Sequence, residues 1–165
     1  MSAVAGSLPT VDGDAIEAIA QDFFATMVDG EHGVLVPGYG EMPPLVDARF
    51  TWVDVHGEAV TRVLVAVGRS TGDMLTRALL ALPDDAPIGD ADFADAAGEV
   101  VNVIGGNIKS LVHGGGALSL PQVADAAPDC GGAPLISETW FTWRGAPLTL
   151  TLWNLPEHAG FAGRP

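Results

Sequence analysis

Cysteine is almost absent from this chain: Cys130 is the only one among 165 residues. That excludes an internal disulfide and a Cys-x-x-Cys metal site. Basic residues are scarce as well. Seven Lys and Arg face 21 Asp and Glu, for a formal net charge of −14. Phosphate backbones and anionic membranes are gripped by clustered cations, so the sequence argues against nucleic acid and against membrane as partners. The acidity is accounted for by solubility. No apolar run approaches the roughly 20 residues that a membrane span requires. The opening stretch, Met1 to Pro9, has neither the basic start nor the apolar block of a secretory signal. The expectation is a cytoplasmic protein. The four histidines, at 32, 56, 113 and 158, are far apart and show no His-x-x-x-His or carboxylate spacing suited to zinc.

What the chain does have is an apolar content of 48%, enough for a globular core. A chain of this length buries roughly 70% of its unfolded surface and folds without staples. The pattern divides into a flexible N-terminal segment 1–11, one domain at 12–155 and a loose tail at 156–165. Asp12 and Asp14 offer helix N-caps, and Ile16, Ile19, Ala20, Phe23 and Met27 recur at helical spacing until Gly30. The Gly/Pro-rich segment 31–44 reads as a loop with one short strand around Val34-Leu35-Val36. Arg49 to Val55 and Ala59 to Val67 read as a hairpin about His56-Gly57-Glu58. Ser70 is placed to cap a second helix, and Asp90 to cap the longest one, running to about His113. Strands are expected at 117–123, 135–143 and 148–153, with Arg144 to Pro147 turning between the last two. Short hairpins imply a largely antiparallel sheet covered by helices, an α/β (α+β) single domain.

On the longest helix Phe93, Ala97, Val100, Ile104, Ile108 and Leu111 fall within about 60° of arc, the stripe expected to be buried. Asp95, Glu99, Asn102, Gly106 and Lys109 fall on the far side. Glu99 and Asn102, three residues apart, point the same way, so an acid and an amide stand together on a solvent-facing ridge. Two mid-helix glycines, Gly105 and Gly106, each cost about 0.5–1 kcal/mol relative to alanine, which suggests that something needs the room. Polar residues on an outer helical face are, by pattern alone, most often simply solvated.

Gly98-Glu99-Val100-Val101-Asn102-Val103-Ile104-Gly105-Gly106-Asn107-Ile108-Lys109 closely resembles the signature helix of the CheC/CheX/FliY phosphatases, Glu-x-x-Asn followed by Gly-Asn. Leu118-Ser119-Leu120-Pro121 is similar to the Leu-Ser-x-Pro strand that follows it in CheX-type members. The order of elements matches too. Glu17 on the first helix is followed by Ala20, not Asn, so the pattern looks like a single-site CheX and not a two-site CheC. The resemblance implies a CheC/CheX-like fold and a phosphatase for the aspartyl phosphate of a CheY-like receiver domain. It implies that Asn102 orients a water and that Glu99 pairs with the receiver's lysine. It also implies that the receiver, not this chain, carries Mg2+, and that the chain pairs as a homodimer. Gly106 would give clearance to the receiver's loops and Lys109 would touch its acidic surface. A CheX-like module that binds without catalysis is the first alternative.

A remoter one is a serine hydrolase. Gly68-Arg69-Ser70-Thr71-Gly72 matches Gly-x-Ser-x-Gly between a strand and a helix, and His113-Gly114-Gly115-Gly116 resembles an oxyanion-hole motif. That element follows the serine where it should precede it, and the strands look antiparallel. The tryptophans at 52, 140, 143 and 153 are expected in core or sheet-edge packing, and Cys130 is read as a loop thiol without chemistry.

Overall fold

The first helix, α1, spans Gly13–Phe23 in the computed structural model, which describes residues 11–112 and 114–156. The expected N-terminal segment and tail therefore lie outside the described residues, apart from Val11 and Pro156, as do His113 and His158. Asp12 caps α1 by accepting the Asp14 N–H at 3.0 Å. From Phe24 to Asp29 the helix widens to π geometry, and Gly30 ends it at φ +73°. A π turn advances less per residue than an α turn. Phe24 and Ala25 consequently follow Phe23 into the core, whereas Met27, expected on the buried stripe, is 46% exposed.

Six strands follow, with two more helices among them. They are β1 (Leu35–Pro37), β2 (Arg49–His56), β3 (Val60–Val67), β4 (Gln122–Ala124), β5 (Leu135–Trp143) and β6 (Ala146–Leu155). The sheet order is β1-β5-β6-β3-β2-β4, and every pairing is antiparallel. The short strand expected in the Gly/Pro-rich segment is thus β1, a sheet edge. Arg144 (φ +51°) and Gly145 (φ +83°) alone close the β5–β6 hairpin, the left-handed pair that a two-residue turn demands. Pro147, expected in that turn, already belongs to β6.

Two helix starts differ from expectation. Helix α2 (Arg69–Leu79) is capped by Gly68, not Ser70, and its first bond runs from the Gly72 N–H to the Gly68 carbonyl at 2.8 Å. Helix α3 (Asp90–Ile108) is capped by Gly89, and Asp92 reaches back to accept the Gly89 N–H at 3.4 Å. Asp90 becomes the first helical residue, its carboxylate 3.7 Å from Arg49. Arg49 is only 3% exposed, lies 3.6 Å from Asp73 on α2, and stacks 4.3 Å from the Phe93 ring centroid. One guanidinium thus ties β2 to both helices.

The helices share one face of the sheet. Beneath them lie Val53, Val63, Val65, Leu150, Leu152, Phe141 and Trp143, and from above come Ile16, Phe23, Leu75, Phe93, Val100 and Ile104. The Trp143 indole N–H donates to the Asp29 carboxylate at 3.1 Å, which satisfies the one polar atom of a fully buried ring. Strand alternation sends Trp52, Trp140 and Trp153 to the opposite face, where all three are half-buried. On that face Arg62 donates twice to the Asp54 carboxylate, at 2.8 and 3.0 Å. The paired carboxylate holds the Arg62 guanidinium above its ordinary pKa.

Candidate functional site

Helix α3 packs over β2, and this seat is what lifts Glu99 and Asn102 into solvent. Phe93, Ala97, Val100, Ile104 and Ile108 are buried as the wheel requires, joined by Ala96, Val101 and Gly105. Leu111 is the exception, at 39% exposure. After Ile108 the chain tightens into a 3₁₀ turn, Lys109–Leu111, which advances more per residue and carries Leu111 off the stripe.

The two glycines have different surroundings. A methyl group at Gly105 would lie 2.5 Å from Val53 Cγ2, so that position sets how closely α3 approaches β2. A methyl group at Gly106 would meet nothing nearer than Leu118 Cδ1, at 3.9 Å. The room that the sequence hinted at is used by the protein's own sheet at Gly105. No neighbour among the described residues demands a glycine at 106.

Glu99 and Asn102 are both exposed, one helical turn apart, and neither side chain makes a hydrogen bond or ion pair among the described residues. By contrast Asn107, the other amide of the motif, folds back to donate to the Val103 carbonyl at 3.0 Å. Asn102 is therefore the amide left available for an external ligand. Beside the pair runs an open groove whose helix wall is Asp95, Glu99 and Asn102, and whose opposite wall is Leu118, Leu120 and Pro121. Two carboxylates and no cation line it. An acid, an amide with one donor group and one acceptor, and an apolar wall can accept a cationic side chain and orient a small polar molecule.

The opposite wall is an irregular edge of the sheet. The segment after α3 pairs with β2 through Leu118 opposite Val55 and Gln122 opposite Trp52. That is four steps along the segment against three along β2, a β-bulge with one extra residue. The strand expected over 117–123 is thus broken near Pro121, which cannot donate to a ladder. Ser119 holds the bulge down. Its N–H donates to the Asp54 carbonyl and its Oγ accepts the Asp54 N–H, both at 2.9 Å.

The structure brings Glu99 and Asn102 together at this groove. Gly106 and Lys109 lie further along the helix and do not line it. Lys109, the only lysine of the chain, is half-buried and has no ion pair among the described residues. Asp95, Leu118, Leu120 and Pro121 were not singled out as site residues. The proline within a strand pattern was the signal for an irregular edge there. Ser70 sits in the first turn of α2, exposed, against a separate pocket that includes Asp47, Arg69, Asp73 and Met74 but no histidine. Among the described residues no cluster of three His, Cys, Asp or Glu is arranged to hold a metal ion, and no helix is long and apolar enough to cross a membrane.

An antiparallel six-stranded sheet under three helices is the CheC/CheX-like fold. Solved structures of that fold resemble the chain over most of its length. The chemotaxis protein CheX from Desulfovibrio desulfuricans matches with a TM-score of 0.65 at 18% identity, covering 84% of this chain and 95% of that one. A CheC-like superfamily protein from Shewanella sp. PV-4 gives 0.64 at 12%, covering 85% and 94%. A third, from a CheX-CheY-BeF3-Mg2+ complex of Borrelia burgdorferi, gives 0.65 at 14%, covering 87% and 97%. No curated protein matches significantly. Residues 50–128 match the family model described as chemotaxis phosphatase CheX, a span that holds the first hairpin, α2, α3 and the bulged edge. The chain thus has the CheX-like fold, and over residues 50–128 its sequence is similar to the CheX family.

Proposed function

We propose that this chain is a phosphatase that hydrolyses the aspartyl phosphate of a CheY-like response-regulator receiver domain. The observation that carries the reading is the exposed pair Glu99 and Asn102, unbonded among the described residues and held one turn apart on α3 beside an open groove. The CheX family match over residues 50–128 supports it.

Hydrolysis of an acyl phosphate needs little covalent help, because phosphoryl transfer depends mainly on positioning and charge stabilisation. A water attacks phosphorus, the bond from phosphorus to the aspartate oxygen breaks, and inorganic phosphate leaves a restored carboxylate. Asn102 orients that water. Its amide both donates and accepts, and it carries no charge to repel the phosphoryl oxygens. Glu99 pairs with the receiver's lysine and fixes the depth to which α3 inserts. Mg2+ is expected in the receiver, where it neutralises charge on the phosphoryl group. Gly106 leaves clearance for receiver loops, Lys109 meets acidic receiver surface, and the protein acts in the cytoplasm as a homodimer.

The test is dephosphorylation of phosphorylated receivers with and without the chain. Asn102→Ala should lower the acceleration by about 100-fold or more while leaving binding measurable. Full activity in that variant would refute the assignment. Binding without turnover by the unaltered protein would point to the non-catalytic module instead.

A further inference from the structure

Leu120 is 81% exposed, although it sits between residues that are firmly held. On one side Ser119 is bonded twice to Asp54. On the other, Pro121 packs against α3, where a methyl group at Gly98 would lie 3.5 Å from Pro121 Cβ. The bulge explains the exposure. In a regular strand Leu120 would share a face with Leu118, which packs on the core. The extra residue between the Leu118 and Gln122 pairings lets Leu120 turn outward, and bulges beside active sites commonly re-aim a side chain in this way. The chain thus holds a large apolar side chain in water on a backbone with little freedom to withdraw it. It does so on the wall facing Glu99 and Asn102.

We infer that Leu120 is the apolar anchor by which this chain docks on the receiver face surrounding the phosphorylated aspartate. This deepens the proposed function and rests on it. The occupant follows from continuity with the Glu99–Asn102 ridge: whatever surface accepts Asn102 from α3 must also cover the facing wall of the same groove. It also follows from charge, since Asp95 and Glu99 with no cation beside them fit a partner that brings its own lysine. The receiver surface that fits combines that lysine with an apolar patch next to it. A side chain already held in its bound position loses little freedom on docking, so more of its burial appears as affinity.

The experiment measures kcat and KM on a phosphorylated receiver that the unaltered protein turns over, for Leu120→Ala, Leu120→Met and Asn102→Ala. Leu120→Ala should raise KM by about 10-fold or more with kcat changed less than about two-fold, and Leu120→Met should restore most of the affinity. Because the side chain is exposed, thermal unfolding of both Leu120 variants should match the parent. An unchanged KM in Leu120→Ala, with Asn102→Ala inactive, overturns the anchor and leaves the phosphatase reading standing. An active Asn102→Ala beside a raised KM in Leu120→Ala overturns the catalytic assignment and keeps the anchor. Sedimentation velocity covers the other occupant. If Leu120→Ala dissociates a dimer of this chain while KM holds, Leu120 belongs to a contact between copies and the inference fails.

Discussion

Adjacent glycines in α3 should respond in opposite directions when each is replaced by alanine. At Gly105 the new methyl group would sit 2.5 Å from Val53 Cγ2, about 1 Å inside ordinary carbon–carbon contact. Val53 is fully buried on β2, hydrogen-bonded to β3 on one side, and has nowhere to go, so α3 must lift or tilt. Overpacking of this size costs about 1–3 kcal/mol, and the better helix propensity of alanine returns about 0.5–1 kcal/mol. At the middle of both ranges the net expectation for Gly105→Ala is a loss of about 1 kcal/mol, and at most about 2.5 kcal/mol. At Gly106 the nearest atom would be 3.9 Å away, so Gly106→Ala should keep the propensity gain of about 0.5–1 kcal/mol. Urea unfolding followed by tryptophan fluorescence resolves both, and in a domain of this size each kcal/mol moves the melting temperature by about 2–4 °C. Gly105→Ala combined with Val53→Ala should lose less than the two single changes added together, since each relieves the other. A Gly105→Ala variant as stable as the parent would refute the argument that Gly105 sets the seat of the helix. With Gly106→Ala more stable, any fall in its activity on a phosphorylated receiver would come from docking and not from folding.

Glu99→Ala should leave stability unchanged, because its side chain has no partner among the described residues, yet weaken the complex with a phosphorylated receiver by about 10-fold or more. Unchanged affinity by titration would remove the lysine-pairing role. Asp29→Ala should cost about 1.5–3 kcal/mol in the same unfolding assay. It strips the buried Trp143 indole of its acceptor and Arg144 of its partner, at 3.1 and 3.2 Å, and a loss below about 0.5 kcal/mol would show that these bonds are replaced by water.

The sheet and the long helix were legible because their hydrophobic periods are strong. Val53, Val55, Val63 and Val65 alternate as buried strand residues must, and the Phe93-to-Ile108 stripe keeps the α-helical period without interruption. Departures occurred where the period itself changes. Met27 and Leu111 fit an α-helical wheel, but the chain is π-helical at one and 3₁₀ at the other, and no residue type in either stretch announces it. Helix starts were misplaced because Ser70 and Asp90 are good caps by type, whereas Gly68 and Gly89 take the extended cap conformation and have no side chain of their own to announce it. Of the candidate site, the exposed placement of Glu99 and Asn102 on one helix face was readable from the helical period. The wall facing them was not, since a bulge depends on the register between two distant segments.

Asp54 links the two sides of the sheet within a single residue. Its backbone fastens the bulged edge through Ser119, while its carboxylate is gripped from the opposite face by Arg62. Loss of that arginine would strand a carboxylate that is nine-tenths covered, and the strand would have to shift to wet it. The wall bearing Leu120 hangs from the same residue. Changes on the tryptophan side, which no receiver need touch, can therefore alter the fit of the groove from behind.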